Sequence, residues 1–177
     1  MTNYRRTYVP GATWFFTINL AERRSRLLVD RVDELRQALR YVRTRHPFQI
    51  DAMVVLPDHL HAIWTLPPGD SDYPLRWRLF KTWLSRHVPQ GELRRASRVD
   101  KSERGIWQRR YWEHLIRNEA DLHSHIDYIH FNPVKHGHVL RTVDWPHSTF
   151  HRYVAKGILS ADWGIALGRD VGFGERT

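Results

Sequence analysis

A chain of 177 residues suits one domain, and its 41% hydrophobic content, with eight Trp, is enough to bury a core. The absence of cysteine excludes disulfides and thiolate zinc sites, and no apolar run approaches the roughly 20 residues of a membrane span. We therefore expect a soluble, cytoplasmic protein that is not membrane-bound. Its net charge is +9, and residues 74–117 hold twelve Lys/Arg against four acids, interleaved with Trp. This pattern favours contact with nucleic acid.

The predicted elements alternate between strands and helices along the chain. Aromatic and β-branched residues predict strands at 12–20, 48–56, 59–66 and 106–116. Helical spacing predicts helices from Asp30 to just before Pro47, over 75–88, and from Asn118 to about Asn132. In the helix at 75–88, three apolar side chains are expected inward and three basic ones towards solvent: Leu75, Leu79 and Trp83 against Arg76, Lys81 and Arg86.

This order predicts an α+β fold on the ferredoxin-like split βαβ plan, with an antiparallel sheet and helices packed on one face. Residues 1–155 are expected to form this single domain, and residues 156–177 an extended C-terminal tail. The polar stretch 90–105 is interpreted as a mobile loop.

Two histidines open the third predicted strand, directly after a Pro-Asp turn. Alternate residues of a strand point to the same face, so His59 and His61 project side by side and can both reach one divalent cation. Two His alone bind a metal weakly, so a third ligand is needed. The alternative is a pair of half-buried histidines bonded to backbone or water.

The last predicted helix carries side chains that complete such a site. Tyr128 and Asn132 are four residues apart, so they lie on one edge of the helix beside its buried stripe. The Asn132 amide oxygen suits Mg²⁺ or Mn²⁺, and a phenol becomes a good nucleophile once a cation favours the phenolate. Alternatively, Tyr128 is an amphipathic helix residue with its hydroxyl at the surface. Pro133 is expected to end or distort the helix at Asn132.

Three blocks in this order resemble one family: HLH at 59–61, GIWQRRYWEH at 105–114 and DYIHFNPVKHG at 127–137. They are similar to the REP-associated tyrosine transposases, members of the single-tyrosine branch of the HUH nucleases. The resemblance implies a ferredoxin-like HUH domain in which His59, His61 and Asn132 hold Mg²⁺ or Mn²⁺. It also implies that Tyr128 forms a 5′-phosphotyrosine link with cleaved single-stranded DNA, and that the protein binds palindromic REP-type hairpins.

The resemblance directs attention to further side chains. The candidates for DNA contact are Arg5, Arg6, Arg76, Arg78, Lys81, Arg109 and Arg110. His114 and His125 are candidates for a supporting role around the site, with a structural role equally open for His114. Two other functions remain as alternatives: a phosphodiesterase that uses water as nucleophile, and a non-catalytic hairpin-binding protein. A monomer is expected, with a dimer left open.

Overall fold

A computed structural model describes residues 8–90 and 104–165. The strands are β1 (Thr13–Asn19), β2 (Gln49–Val55), β3 (His59–Thr65) and β4 (Trp112–Leu115). The helices are α1 (Leu27–Asp30), α2 (Val32–Arg45), α3 (Tyr73–His87), α4 (Glu119–Lys135) and α5 (Phe150–Ala155), with a 3₁₀ turn at Thr142–Asp144. Arg5, Arg6 and most of the predicted loop at 90–105 lie outside the described residues.

The four strands form one antiparallel sheet in the order β2-β3-β1-β4. β3 lies between β1 and β2 and is antiparallel to both, so the predicted split βαβ plan and α+β class are confirmed. The pairing of β1 with β3 runs without interruption from Thr13 opposite Thr65 to Asn19 opposite His59. Thr17 therefore lies between His61 on β3 and Trp112 on β4, in one row across the sheet.

Helices cover both faces of the sheet. On one face, α2 and α3 pack over Phe16 and Trp64, and Trp64 stacks on Trp77 of α3 with ring centroids 3.8 Å apart. On the other face, α4 packs over Phe15 and Ile63. The expectation that all helices share one face is wrong, because β1 and β3 carry apolar side chains on both faces and each face must be buried.

Helix α3 differs in its start and in its buried face from the predicted helix. It begins at Tyr73 because the Asp72 side chain accepts a hydrogen bond from the Leu75 N–H at 3.0 Å and Pro74 occupies the first turn. The buried residues are Tyr73, Arg76, Trp77, Phe80 and Leu84 rather than Leu75, Leu79 and Trp83. The larger aromatic side chains set the inward face.

Two further boundaries differ from the prediction. β4 spans only four residues. The segment before it contacts the C-terminal end of β1 instead, where the Gln108 N–H donates to the Asn19 carbonyl at 2.9 Å. Helix α4 continues through Pro133 to Lys135, and His136 N–H still donates to the Asn132 carbonyl at 3.0 Å. The extension adds three residues to the helix and keeps Val134 buried.

The chain after α5 folds back onto α4 as far as it is described. Trp163 lies edge-on to Phe131 of α4, with centroids 6.5 Å apart, and 5.9 Å from Phe150. This part of the predicted extended tail is therefore packed. Within residues 8–90 and 104–165, no helix is long and apolar enough to cross a membrane.

Candidate active site between the sheet and helix α4

His59 and His61 lie side by side on β3, as the strand alternation predicts. They are 4% and 1% exposed, and their ring centroids are 5.0 Å apart. The turn that precedes them is closed by Leu56 N–H donating to the His59 carbonyl at 2.9 Å. The two imidazoles are thus fixed at the start of a rigid strand under helix α4.

Hydrogen bonds orient both rings. His59 Nδ1–H donates to the Asp58 carboxylate at 2.7 Å, and Arg23 Nε lies 3.1 Å from the same carboxylate. His61 Nδ1 is hydrogen-bonded to the Thr17 hydroxyl at 2.9 Å. Each ring is held at Nδ1, an arrangement common around metal-binding histidines, in which Nε2 is the ligand atom.

The surroundings of His61 keep its ring neutral. Burial lowers its pKa well below the ordinary value, and the neighbouring basic groups of His59, His136, Lys135 and Arg23 lower it further. A neutral imidazole is the form that binds a metal ion.

Tyr128 of α4 faces this pair. Its hydroxyl lies 3.4 Å from His61 Nε2, the two ring centroids are 5.0 Å apart, and the residue is 7% exposed. The alternative of a surface hydroxyl is therefore wrong. Lys135 Nζ lies 5.0 Å from the centre of the Tyr128 ring, so an ammonium flanks the phenol.

Asn132 follows Tyr128 by one helical turn and is fully buried. Neither its amide oxygen nor its amide nitrogen has a hydrogen-bond partner among the described residues. One turn later His136 contacts His59 edge-on, with centroids 5.4 Å apart. Since Tyr128 faces His61 and His136 faces His59, Asn132 lies on the same helix edge between them.

His136 is a site residue that the sequence reasoning missed. Its spacing of four from Asn132 was the available signal, but the helix was expected to end at Pro133. Because α4 continues through Pro133, His136 follows Tyr128 and Asn132 as a third polar side chain on the same edge of the helix.

His114 and His125 meet at Asp121, next to the site. His114 Nε2 lies 2.9 Å from the Asp121 carboxylate and His125 Nδ1 lies 3.1 Å from it. Burial raises the pKa of Asp121, but the hydrogen bonds from the Arg117 N–H and His114 outweigh it and the pKa is lowered. Phe15 separates this cluster from the histidine pair and contacts both His125 and Tyr128, at 4.8 and 5.8 Å between centroids.

The residues around His59 and His61 fit a divalent cation. Two imidazoles present Nε2, and the buried Asn132 oxygen, a hard neutral donor, has no partner among residues 8–90 and 104–165. The cluster of His114, Asp121 and His125 also brings its ligand atoms within 4.8 Å of one another. There, however, the donors already bond to each other and to backbone groups.

The candidate DNA-contact residues on α3 and the following segment divide into two groups. Arg76 is 1% exposed: it donates to both Asp70 oxygens, at 2.6 and 3.1 Å, and to backbone carbonyls. The expectation that it faces solvent is wrong, because these bonds satisfy the buried guanidinium. Arg78, Lys81 and Arg109 instead line a groove of about 840 Å³, on the sheet face opposite Tyr128. Arg110 is exposed.

Comparison with known proteins places the chain in a family. It is 48% identical over 163 residues to the REP-associated tyrosine transposase of Escherichia coli K12, covering 92% of this chain and 91% of that protein. The chain belongs to the REP-associated tyrosine transposases. A relative in Haemophilus influenzae with the same family description is 45% identical over 166 residues, covering 93% and 94% of the two chains.

A solved structure agrees with this placement. The structure of a REP-associated tyrosine transposase bound to a REP hairpin is 46% identical, with a TM-score of 0.82 over 100% of this chain and 99% of that one. No protein-family model matches the chain. The resemblance on which the sequence analysis relied is thereby confirmed.

Proposed function

We propose that this transposase is a metal-dependent single-strand DNA endonuclease and transesterase that cleaves and rejoins DNA through Tyr128. The observation that carries the proposal is the buried Tyr128 hydroxyl 3.4 Å from His61 Nε2, one helical turn from an Asn132 amide that lacks a partner among the described residues. The proposed nucleophile and the proposed metal ligands therefore lie next to one another.

The reaction is an exchange of phosphate esters. Tyr128 Oη forms a bond to the scissile phosphorus while the bond to the departing 3′ oxygen breaks, leaving a 5′-phosphotyrosine and a free 3′-hydroxyl. The phenol loses one proton to water and the 3′ oxygen takes one up, so the step is balanced and a 3′-hydroxyl can reverse it. A Mg²⁺ or Mn²⁺ ion bound by His59, His61 and Asn132 would draw charge from the phosphate and orient it.

This chain's own residues prepare the phenol. The ammonium of Lys135, 5.0 Å from the ring centre, is placed to offset negative charge that develops at the reaction centre. Asp58 and Thr17 hold the two imidazoles in place at Nδ1.

The proposed substrate is a palindromic REP-type DNA hairpin with a single-stranded extension. The solved relative bound to a REP hairpin and the basic groove lined by Arg78, Lys81 and Arg109 support this choice. Arg110 is a further candidate contact, as are Arg5 and Arg6. We propose that the protein acts as a monomer in the cytoplasm, on the nucleoid.

The test is covalent capture. A hairpin oligonucleotide labelled 3′ of the cleavage site is incubated with Mn²⁺ or Mg²⁺ and the protein is run on a denaturing gel. Wild type should carry the label and Tyr128→Phe should not, whereas the matched control Tyr41→Phe, on the opposite face of the sheet, should retain it. Cleavage without an adduct, unchanged in Tyr128→Phe, would show that water is the nucleophile. Hairpin binding without cleavage in either metal would show a non-catalytic protein.

A further inference from the structure

Three aromatic rings form a parallel stack at the edge strand β4. Trp112 lies over His114 with centroids 5.8 Å apart and planes 9° apart, and His114 lies over His125 at 4.7 Å and 16°. Trp112 is 51% exposed, whereas His114 and His125 are partly buried. The stack therefore ends in a large aromatic side chain open to solvent.

Asp121 and Phe15 hold the three rings of the stack in place. The Asp121 carboxylate bonds to His114 and accepts from the Arg117 N–H at 2.9 Å, and the Asp121 backbone carbonyl accepts from His125 Nδ1–H at 2.8 Å. Phe15 packs edge-on against Trp112 at 5.5 Å between centroids. A surface ring that is already ordered loses little side-chain entropy when it binds a flat ligand.

The stack lies beside the reaction centre. Trp112, Thr17 and His61 occupy one row on three adjacent strands. Adjacent strands are about 4.8 Å apart, so the backbone of Trp112 is roughly 10 Å from that of His61. Phe15 touches both Trp112 and Tyr128. A strand of DNA whose phosphate is at Tyr128 thus has its neighbouring nucleotides within reach of Trp112.

We propose that the Trp112–His114–His125 stack is a nucleobase subsite that receives one unpaired base flanking the scissile phosphate. This inference rests on the proposed function for the position of the DNA. Exposed aromatic rings with nearby cations are the elements that bind single-stranded DNA, because every base offers a π-face and every phosphate a negative charge. Arg110 and Arg117, both exposed, flank β4 in sequence and supply the positive charge.

Abasic scanning tests the subsite. Hairpins with an abasic residue at each position of the single-stranded extension are titrated into the Tyr128→Phe protein without divalent metal, and Kd is measured by fluorescence anisotropy. One position near the cleavage site should lose on the order of 5- to 150-fold in affinity, the range of a base–aromatic stack. With Trp112→Ala added, the intact hairpin should lose a similar factor and the abasic substitution should have no further effect.

Two controls make the outcome specific. Trp112→Phe should keep most of the sensitivity to the abasic position, and Trp83→Ala, on the other side of the sheet, should keep all of it. If the abasic substitution lowers the affinity of Trp112→Ala as much as that of the protein with Trp112 intact, the proposed subsite is wrong. It is also wrong if Zn²⁺ stabilises the protein only while Asp121 is intact, with no abasic effect, since the cluster would then be a metal site. The assay measures binding without Tyr128 chemistry, so failed adduct formation and a failed subsite are distinguishable.

Discussion

Asn132 connects the stability of the protein to the proposed metal. Its amide is fully buried, with no partner for oxygen or nitrogen among the described residues. A buried polar group without a hydrogen bond costs about 1–3 kcal/mol. Asn132→Leu keeps the branching of the side chain and removes both polar atoms. We therefore expect it to stabilise the metal-free protein by about 1–3 kcal/mol, or roughly 2–4 °C in Tm per kcal/mol for a chain of this size.

Metal should stabilise wild type and leave Asn132→Leu largely unchanged. At a hundredfold excess over Kd, a cation that binds only the folded protein adds about 2.7 kcal/mol. Wild type should show this gain in Mn²⁺ or Mg²⁺, and Asn132→Leu should lose most of it. Thermal unfolding followed by circular dichroism, with EDTA and then with a metal titration, measures both effects.

The matched control is Asn118→Leu, the same substitution at the start of the same helix. Asn118 Oδ1 accepts from the Asp121 N–H at 2.9 Å and caps α4, so its loss should destabilise the protein by about 1 kcal/mol. If Asn132→Leu also lowers Tm in EDTA, the Asn132 amide contributes hydrogen bonds to the folded protein and the reasoning is refuted.

Three further predictions concern single residues: His130, Arg76 and Thr17. His130 is buried with its pKa lowered to about 3, by burial and then by Arg152. The unfolded chain takes up this proton near pH 6.5, so stability should fall by about 1.4 kcal/mol per pH unit below that, roughly 2 kcal/mol by pH 5, in urea titrations. Arg76→Met should cost about 1–3 kcal/mol, because the carbonyls of His46, Pro47 and Asp72 lose their donor and the partly exposed Asp70 loses its partner. Thr17→Val should weaken metal affinity about 10–100-fold in calorimetric titrations, because it removes the bond that orients His61.

Each outcome has a matched comparison. His130→Gln should flatten the pH dependence between pH 6.5 and 5, and an unchanged slope would mean that another group causes it. Arg78→Ala, at an exposed position of the same helix, should change stability by less than about 0.5 kcal/mol while weakening hairpin binding. Thr13→Val removes a hydroxyl bonded to Thr65 at the far end of β1, so it should leave metal affinity intact.

Part of the site was predictable because it depends on local periodicity. The strand period of two fixes His59 and His61 on one face, and the helical spacing of four fixes Tyr128 beside Asn132. The sequence did not show which element covers that face. Because β1 and β3 are apolar on both sides, the choice between one helical layer and two is made by tertiary packing.

Two errors have physical causes in non-local contacts. Arg76 was expected in solvent because an arginine in an amphipathic helix usually is, yet Asp70 and the carbonyls of His46 and Pro47 satisfy it in the core. Pro133 was expected to end or distort α4, but the helix continues to Lys135 with Pro133 and Val134 buried, and this continuation brings His136 next to His59.

Helix α4 carries Tyr128 and Asn132 on the same rigid rod, a single turn apart. Under the proposed chemistry, a DNA end joined to Tyr128 is attached to the helix that also carries the metal ligand Asn132. Any movement of the helix that carried this DNA end away would also remove Asn132 from the metal. Cleavage and rejoining should then occur at one fixed point, with the free 3′ end as the partner that moves. A new partner strand must therefore bind next to the protein-bound end. Strand exchange would then depend on binding of the incoming 3′ end and not on movement of the helix.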